Sequence, residues 1–274
     1  MGGGGAVVLL LLSGKRCSGK DTLAALLSRR LLLGNGGEEQ AEQAPCCREE
    51  RVAPSPGHRR EGKGEEEFGG EERIAVRVVH LADELKRAYA EATGADWQRL
   101  LTDRSYKEAH RETMTAFYHQ LKVTRQVTFF CESIAQNVIF PSLLSTSATT
   151  TTATAPNQVI ILADLRHRFE LSYFLQLAAN DHSTEQKARI KVLTVRLEAT
   201  EEARRGWGWV KGAIDEDITE TDLDGVFSLR NEEKEGKEKE ESYRWDFCFR
   251  NEKNGLEHLE KFVEEQLIPT VYAL

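Results

Sequence analysis

Much of the chemistry open to this 274-residue chain is excluded by what its sequence lacks. Five cysteines, Cys17, Cys46, Cys47, Cys131 and Cys248, form no C-x-x-C pair and no zinc-ligand spacing, which argues against a zinc ribbon or a dithiol redox centre. Their odd number, with no signal-peptide pattern, points to a reducing, cytoplasmic compartment. The apolar run 6–12 is too short to span a bilayer and has no basic region before it, so it reads as a buried strand rather than a membrane segment. The seven histidines do not cluster, and none is assigned to a metal. No N-K-x-D guanine reader accompanies the loose D-x-x-G match at Asp222-Leu223-Asp224-Gly225, which argues against a GTPase. There is no broad basic stripe of the kind a nucleic-acid surface needs, no peroxisomal ending in Tyr272-Ala273-Leu274, and no convincing catalytic His or Ser pair.

The apolar fraction of 40% is depressed by three biased stretches. Residues 34–72 are rich in Gly, Glu and Arg, residues 145–157 in Ser, Thr and Ala, and residues 228–243 in Glu and Lys. None can bury enough apolar surface to offset chain entropy, so each reads as an exposed, disordered insertion in a single domain spanning 1–274. The remaining core of about 200 residues suits one α/β domain. The net charge of −8 is concentrated in the insertions: 38–72 carries −6 and 232–241 carries −3, leaving the rest near +1. A near-neutral core with Arg-rich motifs fits a site for small anions.

The strongest motif is Ser13-Gly14-Lys15-Arg16-Cys17-Ser18-Gly19-Lys20-Asp21, which directly follows the apolar run. An apolar strand, a glycine-flanked turn and a helix start make a phosphate-cradling loop, in which backbone N–H groups and the positive helix end converge on anionic oxygens. Lys20 can reach between the β- and γ-phosphates, and Lys15 to Asp21 form the nucleotide side of the site. The usual Ser or Thr after the lysine, a magnesium ligand, is here Asp21, and a carboxylate can also hold magnesium. Cys17 is read as a small residue whose backbone matters, with a modifiable thiol as the alternative.

Apolar periodicity predicts a helix from about Ser18 to Leu33, a strand at 74–79 and a helix from about Asp83 to Thr93. Residues 96–139 read as mostly helical with a break around Val123 to Thr128. Further strands are predicted at Val159–Asp164, Ile190–Leu197 and Trp245–Phe249, and a closing helix at Leu256–Leu267. Strands alternating with helices, several continuously apolar, predict an α/β fold with a parallel sheet and helices on both faces. In such sheets ligands bind beyond the C-terminal strand ends.

Asp164 closes its strand beside Arg166, His167 and Arg168, and two readings stay open. It is a second magnesium-holding carboxylate, or the N-cap of a following helix. Arg166 and Arg168 are candidate bidentate phosphate partners. Lys107 and Arg111 are predicted four residues apart on one helix face, serving either phosphate binding or solvation. Arg204-Arg205 ends a short helix before a loop, as lid arginines do. The acidic run after it, Asp215-Glu216-Asp217 and Asp222-Leu223-Asp224, reads as lid surface or a weak metal site.

Together these residues resemble animal-type phosphomevalonate kinase. The likeness includes the loop with its unusual Asp21, Leu85-Lys86, Arg99-Leu100-Leu101, Tyr106-Lys107-Glu108-Ala109, Phe129-Phe130-Cys131 and Asp164-Leu165-Arg166. It extends to Val195-Arg196, Arg205-Gly206-Trp207, Asp246 and Asn251. The resemblance implies a P-loop kinase fold, similar to nucleoside monophosphate kinases, with a helical substrate region and a lid. It implies ATP and Mg²⁺ as cofactors and 5-phosphomevalonate as the small-molecule acceptor, converted to mevalonate 5-diphosphate in isoprenoid synthesis. A monomer with no nucleic-acid or membrane partner is expected. By the same resemblance Lys20 meets the transferring phosphate and Arg166 the acceptor, while Arg196, Arg205 and Asn251 are lid and nucleotide-side contacts. The family carries a second Arg where this chain has His167, and Arg-Trp-Gly where it has Ala116-Phe117-Tyr118; Lys122 or Arg125 is the available replacement. A kinase for another small acceptor, such as a nucleoside monophosphate, and a non-catalytic nucleotide-binding module are the competing readings.

Overall fold

The computed structural model describes residues 6–33, 74–146, 158–181, 189–224, 244–252 and 255–274. The expected insertions 34–72, 145–157 and 228–243 lie outside these residues, apart from the backbone of 145–146 at a helix end. Five strands, β1 (Val7–Gly14), β2 (Ala75–His80), β3 (Gln158–Leu165), β4 (Ile190–Glu198) and β5 (Phe247–Arg250), form one all-parallel sheet in the order β2-β3-β1-β4-β5. This is the α/β architecture that the alternating pattern predicts.

Central strand β1 explains why its sequence is apolar without alternation. Val8, Leu10 and Leu12 pack on one face with Leu23, Leu27 and Leu31 of helix α1 (Lys20–Leu33) and with the closing helices α11 (Glu257–Phe262) and α12 (Ile268–Ala273). Val7, Leu9 and Leu11 pack on the other face against α6 (Phe129–Ile134), α7 (Phe140–Thr146) and α8 (Arg168–Asp181). All six side chains are fully buried, each contributing roughly 1.5–3 kcal/mol of apolar burial.

Helices α2 (Leu81–Thr93), α3 (Trp97–Thr102), α4 (Arg104–Ala109) and α5 (Arg111–Thr124) build a separate small core around Tyr89, Leu100 and Met114. Asp96 and Asp103 cap α3 and α4 by accepting the Arg99 and Tyr106 amides. The expected break occurs at residues 125–128, where the chain bends by 89° before α6. Further breaks at Asp103, whose extended backbone separates α3 from α4, and at His110 were not expected. The His110 ring is drawn inward by the Tyr89 hydroxyl, 3.0 Å from Nδ1, and lies 4.4 Å from the Tyr106 ring. Lys107 and Arg111 therefore belong to different helices, which corrects the expectation that they share one helix face.

The parallel strands bring Gly14, His80, Leu165, Glu198 and Arg250 to one rim. Across it runs the segment that follows β4: α9 (Glu201–Gly206), a 3₁₀ turn (Ala213–Glu216) and α10 (Ile218–Thr221). Among the described residues no single helix is long and apolar enough to cross a membrane.

Candidate active site

The loop after β1 takes its shape from two glycines at positive φ, Gly14 at 145° and Gly19 at 97°. A Cβ at Gly14 would stand 2.4 Å from the Leu197 carbonyl oxygen, and one at Gly19 2.4 Å from Asn251 Nδ2. Neither position has room for a side chain. Cys17 is exposed and held at φ 56°, so its backbone conformation shapes the turn. Asn251 Nδ2 donates to the Ser18 carbonyl at 2.9 Å while its Oδ1 lies 2.8 Å from His258 Nε2. Asn251 thus braces the loop from behind, with both ends of its amide engaged.

Lys20 is buried, and its Nζ donates to the carbonyls of Gly14 (2.6 Å) and Lys15 (2.9 Å), with Asp164 at 3.9 Å. Burial pulls the ammonium down to about 8, against the attraction of Asp164. Asp164 itself sits at φ 67° in an irregular stretch of β3: Leu11 pairs Leu162, but Ser13 pairs Leu165, so β3 carries one extra residue. Such a bulge re-aims a side chain, and a non-glycine residue at positive φ marks stored strain. Burial alone would raise the Asp164 carboxyl, yet His80, Arg166 and Lys20 hold it well below the usual carboxylate range.

The capping reading of Asp164 does not hold. The first amides of α8 are satisfied elsewhere: Glu170 Oε2 accepts from Arg166 N (2.8 Å) and His167 N (2.9 Å), and Asp222 Oδ2 accepts from Arg168 N (3.0 Å). Asp164 faces Lys20, Arg166 (3.5 Å) and His80 (3.5 Å). Burial pushes Glu170 up to about 7 despite those two amide bonds.

His80 was missed. Ligand atoms of Asp21, His80 and Asp164 all lie within 4.8 Å of one another, a geometry that could hold a metal ion and that no histidine was expected to share. His80 ends β2, and β3 beside it carries Asp164 one step past its register partner, Ala163. The only usable signal was that both residues end apolar strands.

Carboxylates of the segment after α9 are engaged by basic side chains of the strand ends. Arg16 donates its amide to Glu220 (3.0 Å) and its guanidinium to the Val210 carbonyl (3.2 Å), and lies 3.6 Å from Asp215. Glu220, almost wholly buried, also pairs with Arg166. Asp224 bridges Lys15 (2.5 Å) and Arg196 (2.7 Å), and Arg196 further reaches Ser13 Oγ at 3.4 Å. Asp222 holds Arg168 through its backbone carbonyl (2.9 Å) and lies 3.2 Å from His167 Nδ1. Half-exposed Arg168 is thereby held against the segment after α9.

His167 is buried and stacked on Phe169 and Tyr118. Burial, then the nearby Lys122 charge, push its pKa below the ordinary value, so it is neutral at pH 7. Lys122 lies over Tyr118 and Phe169, whereas Arg125 lies over Phe129 at the helix break. Of the two candidate replacements, Lys122 is the one beside His167. Arg111 makes a forked pair with Glu108, and half-buried Lys107 stands on α4. Arg205 is exposed and pairs with Glu201, while its neighbour Arg204 is buried, stacks 4.0 Å over Trp209 and reaches the Arg16 carbonyl. The inward arginine of this helix is therefore Arg204, not Arg205.

These residues fit a phosphate-bearing ligand and a divalent cation. The loop leaves the Ser18 hydroxyl buried without a hydrogen-bond partner, a group that a phosphate oxygen can satisfy. His80 Nδ1 is likewise buried, 3.5 Å from Asp164 and 3.8 Å from Asp21, two carboxylates of the type hard cations prefer. Comparison with known proteins bears on the other half of the site. Residues 57–180, just under half of the chain, match the phosphomevalonate kinase family model. Within the described residues the match runs from β2 to α8, taking in His80, Lys107, Arg111, Asp164, Arg166 and Arg168, while the loop at 13–21 lies outside it. The match supports a kinase, a phosphotransferase that phosphorylates phosphomevalonate in the mevalonate pathway.

Proposed function

We propose that the chain is an animal-type phosphomevalonate kinase of P-loop, nucleoside monophosphate kinase-like build, a single domain using ATP and Mg²⁺. The observation that carries this reading is the meeting of Lys20, Asp164 and Arg166 at the rim between β1 and β3, with the nucleotide loop on one side and the family-matched residues on the other. Residues 15–21 hold the nucleotide phosphates, and Lys20 leaves its loop carbonyls to neutralise charge on the transferring group. Asp21 and Asp164 hold Mg²⁺, with His80 in reach. The ion supplies charge neutralisation between the two anionic substrates. Arg166 grips the acceptor phosphate, supported by Arg196 and by Lys122 from the helical side. Lys107, Arg111 and Arg168 form its outer charge, and Arg204, in place of the exposed Arg205, supports the nucleotide side through the Arg16 carbonyl.

The chemistry needs no strong base. The attacking atom is a phosphate oxygen that is already anionic, so a neutral His167 is no handicap. The barrier is repulsion between phosphates, and preorganised cations offset it. Arg166→Ala should raise the acceptor KM about tenfold or more and lower kcat, with ATP affinity little changed. Arg166→Lys should be nearly as damaging, because an ammonium cannot reproduce the bidentate fork. Full activity of Arg166→Ala with phosphomevalonate would sink the acceptor assignment in favour of a nucleoside monophosphate.

A further inference from the structure

The cations of the site are already matched by carboxylates of one short segment. Lys15, Arg16, Arg166, Arg168 and Arg196 each pair with Asp215, Glu220, Asp222 or Asp224. Lys20 adds one positive charge, Asp21 and Asp164 two negative ones, and neutral His167 none. These twelve groups, six cations and six carboxylates, form a set without net charge, with Arg204, Lys122 and Glu198 around it. Without the four strap carboxylates it would carry about +4, the condition under which a cleft draws in phosphates. The strap also bonds the loop at Arg16, whose backbone N–H donates to Glu220 and whose guanidinium donates to the Val210 carbonyl just before it.

We infer that residues 215–224 are a resident counter-anion that sets the threshold for anion binding: Glu220 and Asp224 occupy the phosphate-binding cations, and an anion binds only by taking their place. The inference rests on the reading of residues 13–21 as the nucleotide loop and adds what governs entry to it. A lone phosphate dianion must displace carboxylates that are already bound at hydrogen-bond range, and gains little. A nucleotide triphosphate brings enough charge to exchange with several carboxylates at once. Releasing Glu220 also frees Arg166 for the acceptor, so nucleotide binding prepares the acceptor side. Glu220 and Asp224 are positioning residues in this scheme and touch no reacting atom.

The test measures binding of ATP, pyrophosphate and inorganic phosphate by calorimetry to the full chain and to Glu220→Gln, Asp224→Asn and the double variant, with Tm as the folding check. Removing one unit charge at salt-bridge range should strengthen inorganic phosphate binding about tenfold. ATP must release the same carboxylate, so its binding should strengthen by a similar factor. Unchanged or weaker phosphate binding by folded variants overturns the inference. Hydrogen exchange on the wild-type chain gives an answer even if the variants unfold. Amides 213–224 should lose protection when pyrophosphate binds, and unchanged or increased protection contradicts strap release. Absence of any ATP binding to the wild type overturns both the nucleotide-loop reading and this inference, whereas ATP binding with an unresponsive strap overturns this inference alone.

Discussion

Lys20→Met separates function from stability in a way few substitutions can. Lys20 is 5% exposed, and its pKa falls from 10.5 to about 8 through burial. A depression of that size means the native fold holds the charged form at a penalty of roughly 3 kcal/mol at neutral pH. Methionine keeps the unbranched apolar stem and removes the charge. Against this relief stand the lost hydrogen bonds to the Gly14 and Lys15 carbonyls, worth about 1.5–3 kcal/mol each for a charged donor. The balance is a net loss of about 0–3 kcal/mol, so Tm should fall by no more than about 10 °C. Turnover should fall by at least about 100-fold, the usual loss when a group aimed at developing charge is removed. Coupled ADP release and thermal denaturation, run on the same preparation, read both quantities. A loss of activity that merely follows unfolding, or a folded variant with near-normal turnover, would refute the assignment of Lys20 to the transferring phosphate.

Glu170 titrates at about 7 in the fold rather than 4.5. The folded state then keeps a proton that the unfolded chain has lost, so stability contributed at low pH declines as pH rises from about 4.5 to about 7. Glu170→Gln should flatten that decline in a urea-denaturation pH series. A mutant curve parallel to the wild type would contradict the assigned shift. Arg204→Ala should cost about 2 kcal/mol by removing a buried cation–π contact and a loop hydrogen bond, whereas Arg205→Ala should change stability by about 0.5 kcal/mol or less. Equal Tm shifts for the two would defeat the distinction. Gly19→Ala should abolish ATP binding in calorimetry, since its Cβ would strike Asn251 at 2.4 Å and its φ is +97°; retained nanomolar-to-micromolar binding would show that the brace yields.

The fold was legible because its signals are local. The apolar run of β1, the glycines around residues 14–19 and the alternation of strands and helices are each read from neighbours in sequence. The glycine-flanked turn at 13–21 between a strand and a helix was legible for the same reason. What escaped depends on long-range register. His80 reaches Asp164 only because β2 lies beside β3, an order that no property of residues 75–80 encodes. The orientation of Asp164 depends on the extra residue in β3, and its apparent capping role went to Glu170 and Asp222 instead. The acidic run at 215–224 looked like surface because charge patterns in sequence do not show their partners, which come from three separate strand ends. Arg204 and Arg205 have identical side chains, and only the turn of a six-residue helix decides which one is buried. The break at His110 came from a ring contact across helices that periodicity does not report.

The most direct test of the whole account is a side-by-side acceptor assay. ATP-dependent ADP release would be measured with 5-phosphomevalonate, mevalonate, AMP, CMP and UMP under identical magnesium concentrations. The account predicts turnover with 5-phosphomevalonate at a kcat/KM at least about 100-fold above every nucleoside monophosphate, as expected when a site matched to one acceptor discriminates in the transition state. Preference for a nucleoside monophosphate, or ATP binding with no turnover on any acceptor, would contradict it.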